Sequence, residues 1–212
     1  MIFHQPTGRP SAKLEGLPAR PAHVRTFLLR ALVPAIWSTL LAVGAFLFCL
    51  SARGDEISSA AEHKLKAAFV YNFAKFVEWP ASISTNTPLV IGVKGEAAMR
   101  TALEVAIGSR RINGRAIEVR TVNTVADAQA AQVLFVSATE DRHLSALLAN
   151  IRLAPVLTVG ESDAFARADG IINFVREENR YRFDINLDSA EQAGVKISAQ
   201  LLKLARTVRR KS

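Results

Sequence analysis

The chain has 212 residues, of which 50% are hydrophobic and 22% charged, with 27 Lys and Arg against 19 Asp and Glu. That balance excludes a disordered chain, and 11 Gly with 8 Pro exclude collagen-like or low-complexity sequence. A single Cys excludes a disulfide framework and a thiolate metal cluster.

Residues 1–52 read as a leader. Pro6, Pro10, Pro18 and Pro21 break any early helix, and Arg9, Lys13, Arg20, Arg25 and Arg30 outnumber Glu15. An uncharged run then extends from Ala31 to Ala52, between Arg30 and Arg53. A basic flank, an apolar core and a small residue near the exit make a secretory signal, with Leu50-Ser51-Ala52 or Ser58-Ser59-Ala60 as cleavage contexts. The run is also long enough to be retained as a single-pass anchor at 31–52. Either way, positive charge on its amino side sends residues 53 onward across the membrane. Cys49 invites a lipid anchor, but Phe48 stands where a small residue is needed. Without the leader the charge falls to 22 basic against 18 acidic residues, so the high pI is no argument for nucleic-acid binding. Membrane contact is expected only through an uncleaved leader.

After a short linker, 53–61, residues 62–210 read as one α/β domain. Leu65, Phe69, Phe73 and Phe76 give Glu62–Trp79 a helical stripe, which Pro80 ends. Leu89–Val93 is apolar on both faces, as an interior parallel strand requires. A helix follows over Glu96–Ile107. Asn113-Gly114 is a turn and Arg115–Val122 a strand. Val133–Val136 and Pro155–Val159 are further strands, separated by a helix over Leu144–Ile151. This alternation predicts a mainly parallel sheet flanked by helices, a flavodoxin- or Rossmann-like three-layer α/β fold. Ile171–Val175 and Tyr181–Leu187 form a carboxyl-terminal antiparallel hairpin. Its second strand sets Tyr181, Phe183, Ile185 and Leu187 against Arg180, Arg182, Asp184 and Asn186. A terminal helix buries Ile197, Leu201, Leu204 and Val208.

Catalysis needs converging titratable groups, and few are visible. His63 and His143 both read as solvated residues in first helical turns, and their spacing offers no zinc motif. No G-x-S-x-G elbow exists, and Gly92-Val-Lys-Gly95 lacks the glycines of a phosphate loop. Glu62 and Lys66 read as an ordinary i,i+4 surface pair. No enzyme activity, metal or cofactor is therefore expected. Two surfaces suit partner binding: Tyr71, Lys75, Glu78 and Trp79 on the first helix, and Arg180, Arg182, Asp184 and Asn186 on the hairpin. Each also has a plainer reading as a solvated face.

Four stretches carry a resemblance: KAAFVYNFAKFVEWP (66–80), PLVIGVKGE (88–96), VLFVS (133–137) and APVLTVGESDAFARADGIINFVREENRYRFDINLDSAEQAGVKISAQLLKLARTV (154–208). In this order they resemble the YfiR-like family. The resemblance implies an exported, periplasmic, non-enzymatic α/β protein that tends to dimerise. It implies a partner, the periplasmic sensor domain of an inner-membrane diguanylate cyclase, and repression of cyclic-di-GMP synthesis, which restrains biofilm. Regulators of that family carry redox-linked disulfides, but the only Cys here, Cys49, lies in the leader. A periplasmic small-ligand module, using the crevice at the carboxyl ends of the parallel strands, is the alternative.

Overall fold

A computed structural model of the chain describes residues 59–140, 142–178 and 180–210, all within the unit Asp55–Ser212. The leader expectations for residues 1–52 lie outside them. Among the described residues no helix is long and apolar enough to cross a membrane.

The described chain opens with helix α1 (59–75), so residues 59–61 are helical rather than linker. Then come β1 (Val77–Glu78), β2 (Leu89–Lys94), α2 (Ala97–Ile107), β3 (Arg111–Ile112), β4 (Arg115–Thr121) and α3 (Val125–Ala130). Next are β5 (Val133–Val136), α4 (Leu144–Ile151), β6 (Leu157–Gly160), α5 (Asp163–Arg167), β7 (Ile172–Glu177) and β8 (Arg180–Asn186). The last elements are α6 (Leu187–Gln192), β9 (Lys196–Ile197), α7 (Ala199–Leu204) and β10 (Thr207–Arg209). Eight strands form one sheet in the order β10-β8-β7-β6-β5-β2-β4-β3. Strands β4, β2, β5, β6 and β7 are parallel, and β3 and β8 pair antiparallel at either side. The expected α/β architecture and the β7–β8 hairpin are therefore present.

The central strands are apolar on both faces because both faces are covered. Val133 and Phe135 of β5 join the core beneath α1 and α2, while Leu134 and Val136 join a second core under α3, α4 and α5. In the first core Phe69 and Phe73 of α1 meet Phe174 of β7 and Phe183 of β8. The Phe73 and Phe183 centroids lie 4.8 Å apart at 64°, and those of Phe69 and Phe174 lie 5.8 Å apart at 68°. Edge-on pairs of this kind add about 0.5–1.5 kcal/mol each beyond their burial. The helix is rolled relative to the expected stripe: Leu65 is exposed, and Lys66, Ala67, Val70, Tyr71, Phe73 and Ala74 are buried.

Three expectations are corrected. The first helix stops at 75 because β1 pairs with β9, with Val77 opposite Ile197 and Glu78 opposite Lys196. Leu187 starts α6 instead of ending a strand, because the Asn186 side chain accepts a hydrogen bond from Ser189 N and caps the helix. The terminal helix is a composite. Ser198 caps α7, and Arg206 N then donates to Phe183 O, drawing β10 alongside β8 as a parallel edge strand. Leu204 and Val208 are consequently exposed.

Phe165 fills the second core between two glycines. A Cβ on Gly160 would lie 2.2 Å from its ring, and one on Gly170 would lie 2.0 Å away. Gly170→Ala is expected to cost about 1–3 kcal/mol by overpacking, lowering the thermal midpoint in circular dichroism by several degrees.

Candidate functional site

The carboxyl ends of β2, β5 and β6 are followed by Gly95-Glu96, Ser137 and Glu161, and α1 lies across them. His63 Nε2 bonds Glu96 Oε2 at 2.9 Å. At the other end of this segment Trp79 Nε1 donates to Gln132 O, just before β5, at 3.3 Å. The segment from α1 to Trp79 therefore runs antiparallel to the parallel strands, with His63 and Lys66 over their carboxyl ends.

Lys66 is only 5% exposed, contrary to the surface pair expected of it. Its Nζ donates to Glu62 of its own helix and to Glu161 beyond β6. Ser137 Oγ lies 3.2 Å from Glu96 Oε1 and 3.3 Å from Glu161 Oε1, and Ala138 N donates to Glu161 Oε1 at 3.1 Å. The Lys66 ammonium sits 5.0 Å from the ring centroid of Tyr181, which comes from β8. The result is one chain of contacts, His63–Glu96–Ser137–Glu161–Lys66–Glu62, with the Tyr181 ring against Lys66. Gly95 lets the loop after β2 approach so closely: its φ is +108°, and a Cβ there would lie 2.6 Å from the Cβ of Ser137.

Burial alone would push the Lys66 ammonium down, but its bonds to Glu161 and Glu62 outweigh burial and hold it above the ordinary lysine value. Burial would likewise raise the Glu62 carboxyl, yet Lys66 and Tyr181 hold it below the usual carboxylate range. The Tyr181 phenol is pushed up, by burial first and then by the Glu62 carboxylate. Among the described residues no group of three or more His, Cys, Asp and Glu is placed to hold a metal ion.

Reading the sequence missed this network, although a signal was present. Two apolar strands end in the same Gly-Glu pair, Gly95-Glu96 and Gly160-Glu161, which brings two carboxylates to one edge of a parallel sheet. His63, taken as solvated, is held by Glu96, and its side chain is 15% exposed.

The surfaces singled out from the sequence lie at opposite ends of the sheet. Trp79 is half-buried near the strand starts, whereas Arg180 pairs with Glu177 at the carboxyl end of β7. Lys75 and Glu78 are exposed. Tyr71 is corrected: at 9% exposure it belongs to the core, with the Lys75 ammonium 5.7 Å and the Arg110 guanidinium 5.4 Å from its ring centroid. Asn186 is also corrected, since it is buried as the α6 cap. Arg180 and Arg182 are exposed. Asp184 is half-buried, accepting from Arg206 Nε at 2.8 Å and from Arg206 Nη2, while Arg206 Nη1 donates to Glu177 at 3.0 Å.

Removing one partner of a buried pair strands the other charges, so Lys66→Ala is expected to cost about 3–5 kcal/mol at pH 7. The pH dependence follows from the directions of the shifts. Glu62 titrates low in the folded state, so its contribution is present above about pH 4.3 and is lost as pH falls through its folded value. Lys66 titrates high, so its contribution is present below about pH 10.4 and is lost as pH rises further. Urea titrations from pH 3 to 7 are expected to show a flatter acid limb in Lys66→Ala than in the wild type.

No curated protein matches the chain. Among solved structures it is similar to a conserved domain protein from Vibrio cholerae O1 biovar El Tor str. N16961, at 15% identity and a TM-score of 0.43, over 59% of this chain and 56% of that one. It is also similar to the ABC domain in complex with L-Trp from Streptococcus pneumoniae, at 13% identity and a TM-score of 0.48, over 68% and 62% of the two chains. The chain thus spans less than two thirds of either structure. From His63, which opens the polar network, to Arg206, which clamps the hairpin, residues 63–206 match one family along their whole length, and the chain belongs to the YfiR/HmsC-like family.

Proposed function

We propose that the chain is an exported, non-enzymatic regulator of cyclic-di-GMP signalling. In this reading it binds the periplasmic sensor domain of an inner-membrane diguanylate cyclase and represses synthesis. The family match over 63–206 carries the reading. The exposed Arg180 and Arg182 on β8 support a charged contact face, since alternating surface charges give a partner register and orientation. Repression would follow from tighter binding to one conformer of the sensor domain. Moving a cyclase from almost fully active to almost fully inactive takes about 10⁴-fold differential affinity, roughly 5.5 kcal/mol. A homodimer, proposed on the family's habit, would present this face twice.

The alternative, a periplasmic small-ligand module, is favoured by the polar network at the carboxyl ends of β2, β5 and β6, where ligands of open α/β sheets bind. A half-exposed Glu96 and a held His63 would offer such a ligand its polar contacts.

Deleting the gene is expected to raise cellular cyclic-di-GMP several-fold, and complementation to restore it. The double reversal Arg180→Glu/Arg182→Glu is expected to abolish copurification of a membrane cyclase while leaving the melting temperature within a degree or two, since both side chains are exposed. Unchanged cyclic-di-GMP after deletion would count against the reading.

A further inference from the structure

A cavity lies on the face of the sheet away from α1, toward the starts of the parallel strands. It occupies about 320 Å³ between α4, α5 and α6, against β6 and the approach to β7. That volume is at the lower end of ligand-sized sites. Leu148, Ile151 and Ile171 give it an apolar wall, and all three are buried.

Its polar groups converge with one sign. Arg152 closes α4, Arg167 closes α5, and both line the cavity. Among the described residues neither guanidinium has an ion pair or a hydrogen bond. Asp169 is the carboxylate in the lining, and it is already engaged: Arg209 Nη2 donates to its Oδ1 at 3.2 Å, and Asn186 Nδ2 at 3.4 Å. Two uncompensated positive charges therefore remain at the rim.

Two hydroxyl-bearing residues, Thr158 and Ser189, line the same cavity. Thr158, 6% exposed, accepts from Ile171 N at 3.0 Å, so its own proton is left to donate. Ser189, 7% exposed, also lines the cavity with a hydroxyl that can donate.

We propose that this cavity binds a small organic anion, an apolar body carrying one carboxylate or phosphate. The anionic head lies between Arg152 and Arg167 and accepts from Thr158 and Ser189, and the body packs on Leu148, Ile151 and Ile171. Guanidinium pairs suit such heads because each offers parallel donors to two oxygens. The site is distinct from the polar network under α1, and it does not rest on the proposed cyclase partner.

The test uses the purified full chain with benzoate and phenyl phosphate as probes, and benzyl alcohol and benzylamine as controls of similar body. Both anions are expected to raise the melting temperature in a concentration-dependent way, and neither control should. Calorimetric titration of Arg152→Gln/Arg167→Gln is expected to show affinity at least tenfold weaker, with the ligand-free melting temperature unchanged. Ser189→Ala should weaken binding by a smaller factor. Equal binding of benzyl alcohol, retained affinity in the double variant, or no shift with either anion would overturn the proposal.

Discussion

Lys66 is a cation the fold can bury only in company. At 5% exposure its ammonium needs both Glu62 and Glu161, one from its own helix and one from the loop after β6. That double requirement fixes the roll of α1 about its axis and its height above the sheet. Rolled as it is, α1 turns Leu65 to solvent and presses Phe69 and Phe73 onto Phe174 and Phe183. The two contributions differ in kind. Each large buried apolar side chain supplies about 1.5–3 kcal/mol. A buried ion pair roughly breaks even against an apolar substitute of the same shape. The aromatic cluster thus holds α1 down, while the Lys66 triad decides where it is held.

What was legible in the sequence follows from the range of the interactions involved. Val133–Val136 announces a strand covered on both sides because every residue in it is apolar, and Asn113-Gly114 announces its hairpin because both residues adopt positive φ. The boundaries that failed were set by distant partners. Ile197, Leu201, Leu204 and Val208 have helical spacing, yet β1 claims Ile197 and β8 claims Val208. Helical period says only that a helix would have an apolar face. It does not say whether a sheet edge offers those backbone groups better partners. The same holds for Val77, which keeps the helical pattern while pairing with β9.

The polar network was hidden for a related reason. Glu62 and Lys66 are four residues apart, a spacing that usually means a solvated pair worth a few tenths of a kcal/mol. Only the fold adds Glu161, 95 residues on from Lys66, and so turns a surface pair into a buried one. Tyr71 misled in the opposite sense. Its polar tip suggested an interface anchor, but its ring belongs to the core, and Lys75 and Arg110 supply the polar contact over its face. Asn186 alternates correctly with Arg180 and Arg182, and its burial reflects its duty as the α6 cap.

The hairpin face differs from the rest of the surface in how it is braced. Isolated surface ion pairs contribute little, because two long side chains must be immobilised in high dielectric. Arg206 escapes that limit by geometry: it grips Asp184 through two nitrogens and Glu177 through a third, tying the β10 approach to β8 and β7 together. Tyr181, one residue from Arg180 and Arg182, holds its ring centroid 5.0 Å from the Lys66 ammonium and so joins the same strand to α1. The exposed arginines of β8 therefore project from a strand fixed on both flanks. A face built this way has little entropy left to lose on association, and little freedom to adapt to a partner. On the proposed reading, selectivity between partner conformers must then come from the sensor domain's own motion, with this rigid edge serving as the template against which one conformer fits and another does not.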